Sequence, residues 1–306
     1  MTRPRRVVVM VSGGGAISPF TTPTSGCATG LSAGSTDTGM REALLGAGVP
    51  VYTSPANIGR LPVTNDPDIN GFDGQPEQLP AELTVNAAGS IDVAGQHLAA
   101  FLRFLADREG VVEVDLLGHS MGGLFSRAAI RELRAEGHPL RVRSLTTLGT
   151  PWLGSFIAEV AGGYADLSLA AGDPGTETII NEFKVLLADV SQGAGWEVTP
   201  QYLAAPGGWN DRQGSALEGI PVTMVGGEWF QVPNGDAHAW PHDGLVSLSS
   251  ALATGIDPQV VQPRATHVFN DVHSIFFADQ FGLPWNQALT WNPAVVQVVL
   301  DAIEAA

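Results

Sequence analysis

Apolar positions along this chain follow two rhythms. Short continuous runs rich in β-branched residues mark buried strands, and apolar residues three or four apart mark amphipathic helices. Arg6 to Ser12 is a run of the first kind. Met40 to Leu45 reads as a short helix closed by Gly46, and Val49 to Thr53 as a second strand, with Pro50 near its start where a missing N–H is tolerated. Asp92 to Arg108 sets Val93, Leu98, Phe101, Leu102 and Leu105 on one helical face. Leu140 to Leu148 and Ile220 to Gly226 are further strands, and Asn292 to Ala305 is a closing amphipathic helix. Strands separated by helices predict an α/β class with a mainly parallel sheet covered on both faces.

Two irregular segments interrupt the alternation. Ser54 to Ser90 is rich in Pro, Asn, Asp and Gly, whereas Ser155 to Gly219 holds one clear helical face made of Ile179, Ile180, Phe183, Leu186 and Leu187. The expected organisation is one domain over residues 1–306, with 155–219 as a cap or lid inserted after a strand end. A packed extra helix that never moves is the plainer reading of the same pattern.

The run Val111-Val112-Glu113-Val114-Asp115-Leu116-Leu117 passes into Gly118-His119-Ser120-Met121-Gly122-Gly123 and then into the helix-period stretch Leu124 to Leu133. Strand, Gly-x-Ser-x-Gly and helix together predict a nucleophile elbow, in which glycines let the chain turn sharply and the serine hydroxyl stands clear of the sheet. Ser120 is therefore the candidate nucleophile.

A serine hydroxyl needs a base to take its proton, and the base needs an acid to orient it. Active sites of open parallel sheets lie at the carboxyl ends of the strands. His138 precedes a strand, His97 lies within a helix and His119 is the variable position of the elbow, which leaves His238, His242, His267 and His273. His273 stands at a loop-to-helix junction in Asn270-Asp271-Val272-His273-Ser274-Ile275 and is the preferred base, with His267 as the alternative. Asp243, in the turn Pro241-His242-Asp243-Gly244, is the preferred acid, with Asp236 as its rival and an ordinary Asp-Gly turn as the bland reading. An oxyanion hole needs two backbone N–H groups. Met121, following the nucleophile, would supply one; Gly14 would supply the other from Ser12-Gly13-Gly14-Gly15-Ala16, with Gly13 and Gly15 as near alternatives. The glycine run lacks the spacing of a phosphate-binding loop.

Composition narrows the function classes. A hydrophobic fraction of 44% against 15% charged residues supports a large core. The formal net charge of −16 disfavours nucleic acid as a partner. No apolar stretch approaches the roughly 18 to 20 residues of a membrane span. The chain shows no export signal, so cytoplasmic location is the default expectation, a mature secreted form being the alternative. Cys27 stands alone, which excludes an intramolecular disulfide and a cysteine-based zinc site.

The elbow Gly118-His119-Ser120-Met121-Gly122-Gly123-Leu124-Phe125-Ser126-Arg127 resembles the Gly-His-Ser-x-Gly-Gly-x-x-Ser-Arg of bacterial triacylglycerol lipases and esterases in the α/β-hydrolase superfamily. Gly149-Thr150-Pro151-Trp152-Leu153-Gly154-Ser155 is similar to that family's Gly-Thr-Pro-x-x-Gly-Ser, and His242-Asp243-Gly244-Leu245-Val246 to its Asn-Asp-Gly-hydrophobic-Val acid loop. The resemblance implies an α/β-hydrolase fold with a cap insertion and a serine ester hydrolase acting through Ser120, His273 and Asp243 by an acyl-enzyme. It implies no cofactor. Three departures stand out: Ser12-Gly13 replaces the usual His-Gly, Trp152 replaces a frequent histidine, and the aspartate two residues after the histidine that ligates calcium in some relatives is missing, so no metal is expected.

Trp152, Phe20 and Phe276 are candidate pocket residues. The expected partner is a small-molecule or lipid ester. Acyl transfer, or thioester, amide or polyester cleavage, would use the same triad, and a binding protein that keeps the fold without the activity is the alternative of another class.

Overall fold

The computed structural model describes residues 5–24, 37–59, 77–188 and 193–306. Cys27, the middle of the 54–90 segment and a short piece of the 155–219 segment lie outside the described residues.

Among the described residues, six parallel strands form the central sheet: β1 (Arg6–Val11), β2 (Val51–Thr53), β3 (Glu113–His119), β4 (Arg141–Leu148), β5 (Val222–Gly227) and β6 (Pro263–Phe269), in the order β2-β1-β3-β4-β5-β6. β1 and β3 pair from Arg6↔Glu113 to Val11↔Gly118, so Ser12-Gly13 and the end of β3 emerge side by side at the carboxyl edge. That register brings the glycine loop to the elbow.

Helices α1 (Thr38–Gly46), α2 (Ile91–Glu109) and α3 (Gly122–Ala135) follow β1, β2 and β3. α4 (Phe156–Ala161) and α5 (Pro174–Ala188) lie in the insertion after β4, and α6 (Ile275–Gln280) and α7 (Pro293–Glu304) end the chain. α2 begins where Ser90 accepts a hydrogen bond from the Val93 N–H and stops at Gly110, which takes φ 69°. Its face of Leu98, Phe101, Leu102 and Leu105 packs with α3 on one side of the sheet against Val7, Val9 and Leu116. Met40 and Leu44 of α1 and Val295 and Val299 of α7 cover the other side against Val8, Met10 and Leu117. Alternate residues of β1 thus feed opposite cores, which is why the whole run is apolar.

The sequence pattern does not mark β6. One of its faces is open, leaving Thr266 and Val268 exposed, and it begins with a proline, so its apolar signal is broken. His267 lies on this strand in register with Val225.

Candidate active site

Ser120 sits between β3 and α3 with φ 54°, a left-handed conformation that costs a non-glycine residue energy and persists only where the surroundings enforce it. The enforcement is visible. The Ser120 N–H donates to the Leu148 carbonyl at 2.8 Å, the Thr150 hydroxyl donates to the Ser120 carbonyl at 2.8 Å, and a Cβ on Gly122 would come 2.1 Å from the Val11 carbonyl oxygen. Ser120 faces a cavity of about 560 Å³ that His119 and His273 also line.

His273 and Asp243, drawn from loops far apart in sequence, meet beside it. His273 Nδ1 lies 2.7 Å from Asp243 Oδ2, and the His273 N–H donates to the Asp243 carbonyl at 2.8 Å. The other Asp243 oxygen accepts from the N–H groups of Leu245 and Val246 at 2.9 and 2.8 Å. Asp243 is wholly buried and His273 is 3% exposed. A carboxylate facing Nδ1 fixes that nitrogen as the protonated one, leaving Nε2 as the acceptor. Nε2 is buried and, among the described residues, has no hydrogen-bond partner. Asp236 instead serves its own turn, accepting from the His238 N–H, and His238 pairs with Glu159.

Two neighbours escaped sequence reasoning. His119 donates from Nε2 to the His273 carbonyl at 3.0 Å, and burial pulls its imidazole down to about 3, so it stays neutral. Gly149 takes φ 57°, and a Cβ there would lie 2.8 Å from Asp243 Oδ2 and 2.9 Å from His273 Nδ1. Only the Gly-Thr-Pro segment hinted at that closeness. His242 is also buried, stacked on Phe230; its Nδ1 accepts from the Gly244 N–H and its Nε2 meets the Thr176 hydroxyl of α5 at 3.1 Å, tying the insertion to the acid loop.

Met121 is the N-cap of α3, where the first N–H groups have no partner within the helix. In the glycine loop, the Gly15 N–H is committed to the Ala87 carbonyl at 3.0 Å and drops out as an oxyanion donor. A Cβ on Gly13 would fall 2.6 Å from Ser120 Cβ, and one on Gly14 would meet Met121 Sδ at 2.9 Å, so the loop lies directly against the elbow.

Of the three candidate pocket residues, one lines the cavity. Phe276 is 54% exposed and lines the cavity with Ile17, Ile179, Phe183, Leu186 and Phe277. Trp152 does not reach it. Its ring is fully buried, Nε1 donates to the Thr147 hydroxyl, and the Arg127 guanidinium lies 5.8 Å over its ring and 5.6 Å over that of Trp209. Burial pulls Arg127 down to about 9, and the guanidinium donates to Asn210, whose amide in turn donates to the Trp152 carbonyl. Phe20 packs on Tyr52, Phe101 and Phe104 in the core. Both are corrected from pocket to core: apolar spacing in sequence does not tell which cavity a large ring fills. Among the described residues no cluster of His, Cys, Asp and Glu could hold a metal ion, and no helix is long and apolar enough to cross a membrane.

The fold has solved counterparts. The mature Bacillus licheniformis lipase BlEst2 superposes with a TM-score of 0.51 over 92% of this chain and 90% of its own, at 17% identity. The Pyrococcus furiosus esterase Pf2001 gives 0.50 over 98% of this chain and 81% of its own, at 12% identity. This is an α/β-hydrolase fold. Within this hydrolase fold, residues 82–165, which span the elbow, match the family described as "Putative serine esterase (DUF676)". Triacylglycerol lipases of Pseudarthrobacter phenanthrenivorans and Burkholderia plantarii are each 40% identical over 65 residues, or 21% of this chain. The match spans only 19% and 17% of those curated relatives' lengths.

Proposed function

We propose that the protein is a serine hydrolase of carboxylic esters with apolar acyl groups. The observation that carries this reading is Ser120, strained at a strand-to-helix turn, sharing a cavity with a buried His273 whose Nδ1 is held by Asp243 and whose Nε2 is unpaired. Ser120 Oγ attacks the ester carbonyl carbon while His273 Nε2 takes its proton; Asp243 orients the ring and stabilises the imidazolium. The carbonyl oxygen becomes an oxyanion held by the N–H groups of Met121 and Gly14. Collapse expels the alcohol with the proton from His273, and water activated by the same nitrogen hydrolyses the acyl-enzyme. No metal or cofactor enters these steps.

The lining supports the substrate class. Ile17, Ile179, Phe183, Leu186, Leu245, Phe276 and Phe277 offer apolar surface in a cavity of a size suited to small organic ligands. Three of them come from α5, which supports reading residues 155–219 as a cap over the site. The test is hydrolysis of p-nitrophenyl esters from acetate to palmitate by the wild type and Ser120→Ala. A loss of several orders of magnitude in the variant is expected; an inert wild type or a variant with full activity refutes the reading.

A further inference from the structure

We infer that Asp37, acting through the Ser12 hydroxyl, positions the glycine loop so that its N–H reaches the developing oxyanion; the inference rests on the serine hydrolase reading. Gly13, Gly14 and Gly15 have no side chains to anchor them, and a backbone of this kind is intrinsically loose. An oxyanion donor must nevertheless be fixed before the reaction, because its value lies in needing no reorganisation.

The fastening lies beneath the loop. Ser12 Oγ donates to Asp37 Oδ2 at 2.6 Å, which makes Ser18 the donor in the 2.8 Å contact between the two serine hydroxyls. Ser12 and Asp37 are each 4% exposed and Ser18 is 1% exposed. Ser18 is itself clamped, exchanging both backbone hydrogen bonds with Ala56 at 2.9 Å. The loop from Ser12 to Ser18 is therefore closed by one hydroxyl pair and anchored at a buried carboxylate.

Asp37 occupies the N-cap of α1, where a carboxylate ordinarily accepts from a helix N–H, yet its side chain makes no capping bond. It is turned to Ser12 instead. A buried hydroxyl-to-carboxyl hydrogen bond of 2.6 Å is short and directional, which suits a positioning role. The residue so held immediately precedes Gly13, where a Cβ would fall 2.6 Å from Ser120 Cβ, and Gly14, where one would fall 2.9 Å from Met121 Sδ. A shift of Ser12 is transmitted along two peptide units to the donor.

Ser12→Ala, Ser12→Thr and Asp37→Asn separate positioning from mere folding. Each is assayed for kcat and KM on p-nitrophenyl butyrate, for thermal midpoint, and for affinity towards butyl trifluoromethyl ketone. Ser120 Oγ adds to the carbonyl carbon of that ketone, its proton passes to His273, and the oxyanion formed occupies the hole. Ser12→Ala and Asp37→Asn are expected to lower kcat about tenfold to a hundredfold with KM within about twofold, and to weaken ketone binding by a similar factor. Ser12→Thr, which keeps the hydroxyl, is expected to restore most of both.

Variants that match the wild type in kcat and ketone affinity overturn the inference, as does a loss that follows the thermal midpoint and is not rescued by threonine. A wild type that neither hydrolyses the ester nor binds the ketone refutes the hydrolase reading, and the inference falls with it.

Discussion

His119 Nε2 donates to the backbone carbonyl of His273 at 3.0 Å, and the two rings stand 4.7 Å apart, so the variable residue of the elbow supports the residue that would act as base. Burial holds His119 at about 3, against 6.5 for a free imidazole, while an unfolded chain would take up the proton near pH 6.5. The folded state thus refuses a proton the unfolded state accepts, and the contribution to stability present above pH 6.5 is lost as pH falls towards 3. His119→Phe is expected to flatten that acid-side loss in thermal denaturation from pH 7 to 4. It should also lower kcat about tenfold by leaving the His273 carbonyl unpaired, without moving the acidic limb of the kcat profile. A limb that shifts would mean that His119 itself titrates in catalysis.

Gly13→Ala places a methyl group 2.6 Å from Ser120 Cβ and 3.1 Å from Ser120 Oγ. We expect loss of at least a hundredfold in kcat/KM, because nucleophile or loop must move, with reactivity towards a fluorophosphonate probe falling in parallel. An alanine variant with wild-type labelling would show that the loop does not lie against the elbow.

Trp152 and Phe276 make opposite demands. Trp152→Ala empties a fully buried site and should destabilise the fold by about 3 to 5 kcal/mol, read by denaturant unfolding, while the preferred acyl length stays put. Phe276→Ala, at a half-exposed cavity wall, should cost little stability and shift the chain-length profile of the ester series. The reverse pattern would return Trp152 to the pocket.

Burial pushes the Asp271 carboxyl up to about 6 from 3.8, with the Asn292 amide opposing at 2.6 Å. The folded state holds this proton more tightly than the unfolded chain, so stability falls as pH rises from about 4 to about 6 and is level above. Asp271→Asn should therefore stabilise by up to about 3 kcal/mol at pH 8 and by almost nothing at pH 4, compared by thermal denaturation at the two values. Equal effects at both would show that the carboxyl is not desolvated.

The sequence by itself determined the strands β1 to β5, the long helices and the elbow, because each is written in local periodicity and in glycines at fixed offsets from Ser120. It also narrowed the histidines, since position before or after a strand decides which end of a parallel sheet a residue occupies. What only the tertiary structure decided was contact across sequence distance. Asp243 is 30 positions from His273 and Asp37 is 25 from Ser12, and no local pattern encodes their hydrogen bonds. The same limit misplaced Trp152 and Phe20: burial and cavity lining draw on the same apolar side chains, and which one applies depends on what packs opposite. β6 was illegible for the complementary reason: unlike β2, the other edge strand, which is wholly buried, it turns the face carrying Thr266 and Val268 to solvent and so loses half the apolar signal of a strand covered on both faces.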